Sequence, residues 1–305
     1  MKITPPLSAQ VILITGASSG IGAALAETLA RNFCGIRLVL AARTTEKLDQ
    51  VGTLCRQVGA DVLIMPTDMS DMEQVKNLAK MAVEHFGRVD VLINNAGYGQ
   101  MGPVELVPPT AAKYQFEVNF YGPLVLTQAL IPVMRNQGGG RIINISSIAG
   151  RMAFPAGGLY SASKFALEAL SDALRMELKA FNIQVSVIEP GPVITEFFKV
   201  VQAQIQGTIA DVENTPYRRA FENIEAIEEK MGRLGWSPAK VAEIIIRSLK
   251  VKNPRPRYIA ATGGNILVWM LTKVLPTWVG DAFWKRFYGI DEVEKQWKER
   301  KNGVT

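Results

Sequence analysis

Short apolar runs alternate along this chain with longer segments of helical periodicity, and this alternation limits the possible folds most strongly. Seven runs are candidate strands: Val11–Ile14, Leu38–Ala41, Val62–Met65, Val89–Ile93, Ile142–Ser146, Val185–Ile188 and Tyr258–Ala260. Their mostly continuous apolar character is typical of parallel strands that are covered by helices on both faces. The alternation therefore predicts βαβ units wound right-handedly into one doubly wound α/β domain with a parallel sheet.

Two regions interrupt the alternation. The residues from Glu196 to Trp236 form a polar, partly helical insertion, and the tail that begins at Thr262 carries four of the five tryptophans. Between them, Ser237 followed by Pro238 is typical of a helix start. We therefore predict a single Rossmann-type domain over residues 8–261, with a lid insertion at 196–236 and a C-terminal helical extension over 262–305.

The composition excludes several classes of protein. A chain of 305 residues with 48% hydrophobic and 20% charged residues is globular, and one histidine with two cysteines excludes a disulfide scaffold and predicts no metal site. No apolar run has the length of a signal peptide or reaches the ~18 residues of a membrane span. We therefore expect a cytoplasmic protein with reduced thiols at Cys34 and Cys55, both in sequence predicted to be helical.

The first candidate strand leads directly into a glycine-rich turn and then into a helix. The turn reads Thr15-Gly16-Ala17-Ser18-Ser19-Gly20-Ile21-Gly22. Gly16 permits a tight turn, Gly20 lets the backbone approach a pyrophosphate, and Gly22 lets the helix pack close to the strand. Because a helix N-terminus adds free N–H groups and the positive end of a dipole, the segment predicts a dinucleotide site. The alternative is an ordinary glycine-rich turn.

The end of the second strand indicates which dinucleotide is bound. NAD sites place an acid there, about twenty residues past the glycines, to bind the ribose 2′-hydroxyl. Here the stretch reads Leu40-Ala41-Ala42-Arg43-Thr44, with Ala42 in the place of the acid. Arg43 can form charge-assisted hydrogen bonds to a 2′-phosphate, which predicts NADP(H) as the cofactor. The alternative is that Arg43 is a solvated surface residue.

A phenol and an ammonium group form the candidate catalytic pair. Tyr160 and Lys164 lie four residues apart and therefore on one face of a predicted helix. Ser147 lies thirteen residues before Tyr160, at the C-terminal end of a candidate strand. The spacing of the pair is a weak signal alone, but catalytic groups of an open α/β sheet belong at such strand ends.

With these elements in this order, the sequence resembles the short-chain dehydrogenase/reductase family. The shared motifs are Thr15-Gly16-x3-Gly20-x-Gly22, Asn94-Asn95-Ala96-Gly97, Ser147, Tyr160-x3-Lys164 and Pro190-Gly191, and the resemblance covers roughly residues 8–260. It implies a seven-stranded Rossmann fold with a catalytic tetrad of Asn119, Ser147, Tyr160 and Lys164. It also implies a cofactor site formed by Gly16, Ser18, Ser19, Gly20, Ile21, Gly22, Arg43, Asp68, Met69, Asn95, Ala96, Gly97, Tyr160, Lys164, Pro190, Gly191, Val193 and Thr195.

The resemblance also implies where each part of the cofactor would lie. Asp68 and Met69 would contact the adenine, and the Asn95-Ala96-Gly97 segment would line the adenosine ribose. Pro190, Gly191, Val193 and Thr195 would lie under the nicotinamide amide. Many NADP-preferring members carry a second basic residue at the position that Ser19 occupies here. Because this chain has a serine there, Arg43 would be the main anchor of the 2′-phosphate.

The implied chemistry assigns one role to each member of the tetrad. Tyr160 would give its proton to a carbonyl oxygen as hydride arrives from the nicotinamide, and its pKa, about 10 when unperturbed, would be lowered by Lys164 and the oxidised cofactor. Ser147 would stabilise the developing alkoxide. Lys164 would also hold the nicotinamide ribose, and Asn119 would keep a water in the proton relay.

These expectations describe an oxidoreductase of CH–OH and C=O groups that uses NADPH to reduce a hydrophobic ketone or aldehyde reversibly. Bulky residues around the expected pocket suit such a substrate, or else pack the lid itself: Tyr98, Met101, Phe154, Leu159, Phe197 and Phe198. The alternative from a different class is a catalytically silent dinucleotide-binding sensor or scaffold. The intact Ser147, Tyr160 and Lys164 set argues against that alternative.

The tail and the net charge indicate possible partners. Residues 265–271 are apolar all round and are followed by interleaved basic and aromatic residues, which suits an interfacial membrane segment, a helix over the substrate mouth or a subunit contact. This tail resembles that of hydroxysteroid-dehydrogenase-like members, some of which associate with membranes. The net charge is +6, with six basic residues and no acid between Ile244 and Gly280, and we expect a solvated face and no nucleic-acid partner. The family resemblance implies a homodimer through two long helices, expected over Ala111–Arg135 and Ser161–Lys179.

Overall fold

A parallel sheet forms the centre of the fold. The computed structural model describes residues 5–209, 212–222 and 235–301, and within these ranges seven strands pair in the order β3-β2-β1-β4-β5-β6-β7. The strands are β1 (Val11–Thr15), β2 (Arg37–Ala42), β3 (Asp61–Pro66), β4 (Val91–Asn94), β5 (Gly140–Ile145), β6 (Ile183–Pro190) and β7 (Arg257–Ala260). Every neighbouring pair is parallel. The predicted doubly wound, Rossmann-type sheet is thus confirmed. Its order reverses between β1 and β4, where ligands of such sheets bind.

Helices cover both faces of the sheet. They are α1 (Gly20–Asn32), α2 (Thr45–Gln57), α3 (Met72–Phe86), α4 (Pro109–Phe116), α5 (Gly122–Asn136), α6 (Gly158–Glu177), α7 (Phe197–Thr208), α8 (Pro238–Lys250), α9 (Gly264–Trp269), α10 (Thr277–Phe287) and α11 (Ile290–Lys301). On β1, Ile12 and Ile14 belong to the core under α1, α2 and α8, whereas Val11 and Leu13 belong to the core under α3, α5 and α6. Successive residues of a strand point to opposite faces, so both must be apolar.

Side-chain caps fix several helix ends. The Asp71 carboxylate accepts hydrogen bonds from the N–H groups of Glu73 and Gln74, at 3.0 and 3.2 Å, and so starts α3. The same helix ends at Gly87, whose φ of 73° lies in the left-handed region. Ser237 caps α8 as its sequence predicts, because its side chain accepts a hydrogen bond from the N–H of Lys240.

Three local predictions differ from the structure. The helix expected over Ala111–Arg135 is split into α4 and α5 by a π-helical turn over Glu117–Tyr121. The strand expected from Val89 begins at Val91. The N–H of Val11 in β1 donates to the Asp90 carboxylate, so it is not available for a backbone hydrogen bond that would extend the pairing of β1 with β4. Cys34 lies in an exposed turn after α1 rather than in a helix, whereas Cys55 is buried in α2, and burial raises the pKa of its thiol to about 11.

The described parts of the insertion and the tail pack beside the sheet's carboxyl edge. Val201 and Ile205 of α7 form a third, smaller apolar cluster with Val107, Ile209 and Phe221. Hydrogen bonds between backbone groups of 192–194 and Trp236 hold the far end of the insertion next to the strand end of β6. Among the described residues, no helix combines the length and the hydropathy that crossing a bilayer requires.

Candidate active site

The glycine-rich turn joins β1 to α1 at the switch point of the sheet. Gly16 and Gly20 have φ angles of 64° and 54°, which L side chains rarely adopt. A Cβ at Gly22 would overlap the carbonyl oxygen of Gly16, so α1 passes directly against the turn. Ser18 is half-buried, and exposed Ser19 makes no side-chain hydrogen bond to the helix start. The first N–H groups of α1 can therefore receive an anion, which fits the pyrophosphate of a dinucleotide.

The end of β4 braces this turn. The Asn95 side chain donates hydrogen bonds to the carbonyl oxygens of Thr15 and Gly16, at 2.9 and 3.2 Å. The Thr15 hydroxyl oxygen accepts from the N–H groups of Asn95 and Ala96, both at 3.0 Å. At Gly97, a Cβ would lie only 3.3 Å from Lys164 Nζ. The Asn-Ala-Gly motif thus joins the glycine turn to the predicted catalytic lysine.

The predicted adenosine-side residues follow β2 and β3. Arg43 is exposed directly after β2, and its Nη1 donates to the Tyr114 hydroxyl of α4 at 2.9 Å. The half-buried Asp68 accepts hydrogen bonds from both the N–H and the hydroxyl of Ser70, at 2.9 and 2.8 Å. Met69 is only 4% exposed and packs in the core under α3 and α5. The side chain of Met69 is therefore part of the hydrophobic core.

Tyr160 and Ser147 meet at the carboxyl end of β5. Ser147 follows the strand and caps a short 3-10 turn, Ile148–Gly150, by accepting from the N–H of Ala149 at 3.1 Å. Burial raises the pKa of Tyr160 to about 12, against a hydrogen bond with Ser147 that lowers it. The expected lowering of this pKa by Lys164 is thus not found in the protein alone, because loss of water around the phenol outweighs its stabilising contacts. Tyr160 carries its proton at neutral pH.

Lys164 lies one helical turn beyond Tyr160 and is 4% exposed. Its Nζ donates to the carbonyl oxygen of Ile145 at 3.0 Å and lies 5.9 Å from the centroid of the Tyr160 ring. Burial lowers the pKa of Lys164 to about 8, and the negative charge of Glu168 opposes that shift. At neutral pH the ammonium group is therefore charged and close to the phenol.

Asn119 occupies the π-helical turn between α4 and α5 and is fully buried. Its Oδ1 accepts from the N–H of Tyr98 at 3.0 Å, and its Nδ2 donates to the Tyr98 carbonyl at 2.9 Å and to Ser163 Oγ at 3.0 Å. These bonds fix the chain beside Gly97 against α6. Asn119 thus positions the backbone that contacts Lys164, and its expected role in holding a water stays a prediction.

A cavity of about 230 Å³ opens beside Tyr160, Ser147 and Lys164. On the predicted cofactor side its walls are Ile21, Asn95, Gly97, Pro190, Gly191, Val193 and Thr195. The opposite walls are mostly apolar and come from the β4–α4 loop, the β5–α6 loop, the insertion and the tail: Met101, Met152, Phe154, Phe197, Phe198, Trp284 and Tyr288. The Tyr288 ring stacks on Phe154 with centroids 5.4 Å apart, so the tail packs over the cavity.

A buried network of charges lies behind Lys164. Glu168, one turn beyond Lys164, and Glu189 of β6 both contact Arg257 Nε, at 3.0 and 3.3 Å, and Glu189 also pairs with Arg151 at 3.0 Å. Burial and the neighbouring charge of Glu189 raise the pKa of Glu168 to about 7. One carboxylate oxygen of each glutamate lacks a hydrogen-bond partner within the described part of the chain. The only sequence signal for this network was an acid in the otherwise apolar end of β6.

The comparisons with known proteins match this geometry. Residues 10–206 match the model of the short chain dehydrogenase family. The chain belongs to this family. A 3-ketodihydrosphingosine reductase from Bacteroides thetaiotaomicron is 35% identical over 246 residues, which cover 80% of this chain and 85% of the relative.

Two solved structures of the family resemble this dehydrogenase closely. One is a short chain dehydrogenase/reductase from Burkholderia phymatum in complex with NAD, with 28% identity and a TM-score of 0.77 over 88% of this chain and 94% of that one. The other is a metagenomic short-chain oxidoreductase in complex with NADP, with 29% identity and a TM-score of 0.66 over 84% and 99%. This dehydrogenase is thus an oxidoreductase of alcohol or carbonyl groups with a nicotinamide dinucleotide cofactor.

The structure gathers most of the predicted site at one edge of the sheet. Ser147, Tyr160 and Lys164 line the cavity. Asn119 does not line it, but forms a hydrogen bond with the backbone of Tyr98 in the cavity wall. Arg43, Asp68 and Met69 lie farther along the same edge, after β2 and β3. Sequence reasoning missed Met152 in the wall, because an isolated methionine in a loop carries no signal of its position.

Proposed function

We propose that this dehydrogenase is an NADPH-dependent carbonyl reductase that converts an apolar ketone or aldehyde to an alcohol, reversibly. The observation that carries the proposal is the buried, protonated Tyr160 hydroxyl, which lines the cavity together with Ser147 and the charged Lys164. This acid lies at the wall of a cavity whose far side is apolar. A pure dinucleotide sensor would need no buried proton donor at that point.

The side chains divide the chemistry of reduction between them. The cofactor, when bound, supplies hydride to the carbonyl carbon. Tyr160 gives its proton to the carbonyl oxygen, and the high pKa that burial imposes keeps that proton available at neutral pH. Ser147 donates a hydrogen bond to the same oxygen and so stabilises its developing negative charge. Lys164 stabilises the phenolate that remains, since its ammonium lies 5.9 Å from the ring centroid.

The preference for NADPH rests on the end of β2. Ala42, where an acid would bind the ribose of NAD, is buried, and the next side chain is the exposed guanidinium of Arg43. Its hydrogen bond to the Tyr114 hydroxyl holds it over α4, and a guanidinium retains further donors for a phosphate.

The apolar walls of the cavity support the proposal of an apolar substrate. Phe197 packs on Tyr160 with ring centroids 5.8 Å apart, and Phe154, Trp284 and Tyr288 continue the aromatic wall outward. Such walls with few polar groups select a hydrophobic molecule. The name of the relative, 3-ketodihydrosphingosine reductase, supports a lipid-like ketone.

The test measures oxidation of NADPH and of NADH by the purified protein against ketones from small to lipid-sized. Tyr160→Phe should abolish turnover while binding of NADPH, followed by cofactor fluorescence, is retained. Tyr121→Phe, at an exposed ring, is the matched control and should remain active. NADPH binding by the wild type without turnover on any ketone, and no effect of Tyr160→Phe, would support the sensor instead.

Arg43→Ala tests the cofactor preference in the same assay. We expect the KM for NADPH to rise about tenfold or more while that for NADH changes little, because only the 2′-phosphate interaction is lost. Arg31→Ala removes another exposed arginine, which pairs with Glu27, and is the control. An equal loss with both cofactors would contradict the assignment of Arg43.

We also propose that the chain forms a homodimer through the face of α5 and α6. Large apolar side chains are exposed on α6, at Phe165 and Met176, and directly before α5 and after α6, at Tyr121 and Phe181. Burial of such a stripe favours association. Light scattering should give a dimer for the wild type and a monomer for Phe165→Glu/Met176→Glu, and a monomeric wild type would contradict the proposal.

A further inference from the structure

The C-terminal helices expose an unusual concentration of large apolar side chains. Of the eighteen such exposed residues in the described ranges, seven lie within residues 266–283: Ile266, Leu267, Trp269, Met270, Val274, Trp278 and Phe283. We call these seven the tail surface. Trp278 is 71% exposed, Ile266 65% and Trp269 59%. Single exposed apolar residues are normal, but a concentration of this kind marks an interaction site.

The tail surface is held in a fixed place on the fold. Trp284 of α10 and Tyr288, which directly follows this helix, turn inward onto Phe154 and line the cavity, while Trp278 and Phe283 of α10 remain exposed. The Leu271 side chain lies 4.0 Å from the Cβ position of Gly280, so the turn after α9 packs on α10. Both exposed segments therefore belong to one surface, and that surface adjoins the mouth of the cavity.

Basic side chains flank the tail surface. Between Gly264 and Gly289 the sequence has three basic residues, Lys273, Lys285 and Arg286, and a single acid, Asp281. All three basic side chains are exposed, and Lys285 contacts Glu294 at 3.4 Å. Lys273 and Arg286 have no acidic partner in the part of the chain that the structure describes. Exposed tryptophans beside unpaired cations complement the apolar and anionic layers of a membrane interface.

We propose that the tail surface docks on an anionic lipid bilayer, with α9 and α10 lying in the interface and the cavity mouth turned towards it. No described helix could cross a bilayer, which fits helices that lie on it. A second copy of the chain is the competing occupant. Lysine is depleted in the interfaces between subunits, whereas Lys273 lies within the sequence of the tail surface. This argues against a second copy as the occupant. The docking does not depend on the proposed substrate, because it is measured as binding.

Flotation of the purified full-length protein with lipid vesicles tests the proposal. The vesicles contain phosphatidylcholine alone or with about a third phosphatidylserine. The wild type should float with the anionic vesicles, less with the neutral ones, and less at high salt. Trp278→Ser/Phe283→Ser should lower the bound fraction at limiting lipid about tenfold, because two interfacial rings are lost. Thermal unfolding checks that this variant is folded.

Matched variants test whether vesicle binding depends on the tail surface or on exposed apolar side chains in general. Leu54→Ser/Val58→Ser removes two exposed apolar side chains at the end of α2 and should bind vesicles like the wild type. Lys273→Glu/Arg286→Glu should weaken binding to the anionic vesicles more than to the neutral ones.

Two results would overturn the proposal. One is a wild type that does not float, or that floats no better than Trp278→Ser/Phe283→Ser. The other is a wild-type dimer by light scattering that this variant converts to monomers without any vesicle binding, which would assign the surface to a second copy. Turnover is not part of either readout, so a failure of the reductase assignment is recognised separately.

Discussion

Glu168 makes a pH-dependent contribution to stability that one substitution can isolate. Burial and the charge of Glu189 hold its pKa at about 7, against 4.5 for a free glutamate. Because the folded-state pKa is the higher one, this contribution is fully present below pH 4.5 and is lost as the pH rises through 7. A difference of 2.5 pKa units is worth about 3 kcal/mol. The Glu168 side chain is 6% exposed, so solvent screening does not reduce this figure appreciably.

Glu168→Gln keeps the size of the side chain and an oxygen for Arg257 but cannot ionise. We expect the free energy of unfolding of the variant, relative to the wild type, to increase by about 3 kcal/mol between pH 4.5 and pH 8. Urea unfolding of both proteins at several pH values across this range measures the difference. Glu196→Gln, at an exposed carboxylate that pairs with Lys47, should show no such trend.

The same substitution has a second readout in catalysis. The charge of Glu168 raises the pKa of Lys164 against the effect of burial, so its removal should lower that pKa below about 8. If the proposed reductase activity needs a charged Lys164, the pH at which this activity is lost should then be lower in the variant. A stability difference between variant and wild type that stays constant with pH, or that falls as the pH rises, would refute the reasoning, because Glu168 would then titrate as an ordinary carboxylate.

Three further outcomes are expected. Carbonyl reduction by the wild type should slow as the pH rises through about 8, because Lys164 loses its charge there, and the pH profile of kcat measures this. Arg257→Met removes the cation shared by two buried carboxylates and should lower the free energy of unfolding by about 3 kcal/mol in urea at pH 8. Gly22→Ala should weaken NADPH binding about tenfold or more in a fluorescence titration, because the Cβ would overlap the turn, whereas Gly207→Ala meets open space and should bind normally.

Regular structure was predictable here wherever burial and end signals coincide in the sequence. The strand ends were placed to within two residues because both faces of the sheet are covered, which requires continuous apolar runs. The bounds of the helix Met72–Phe86 are of this kind, since Asp71 before it and Gly87 after it are recognisable end signals. The π-helical turn around Asn119 was not predictable, because it depends on how the chain packs against Tyr98 and α6.

The residues of the site could be predicted where they lie close together in the sequence, next to the end of a single strand. Ser147, Tyr160 and Lys164 fall within eighteen residues, and the β5–α6 connection alone brings them together. Arg257 and Glu168 are 89 residues apart, and their contact exists only because β7 pairs with β6 beside α6. The raised pKa of Tyr160 was missed for a related reason, since the burial of its ring is a property of the packed fold.

The two sides of the cavity are supported by different parts of the protein, and this has a consequence for evolution. The cofactor side is formed by strand ends whose neighbouring residues build the two large cores. On the other side, Phe197 and Tyr288 pack against the small third cluster and belong to neither large core, and Trp284 lies on a helix that follows the last strand. Mutations on this side leave the large cores intact, so selection can change the choice of substrate at little risk to folding. Descendants of this chain can therefore diverge in the alcohol or carbonyl compounds on which they act while sharing one dinucleotide site.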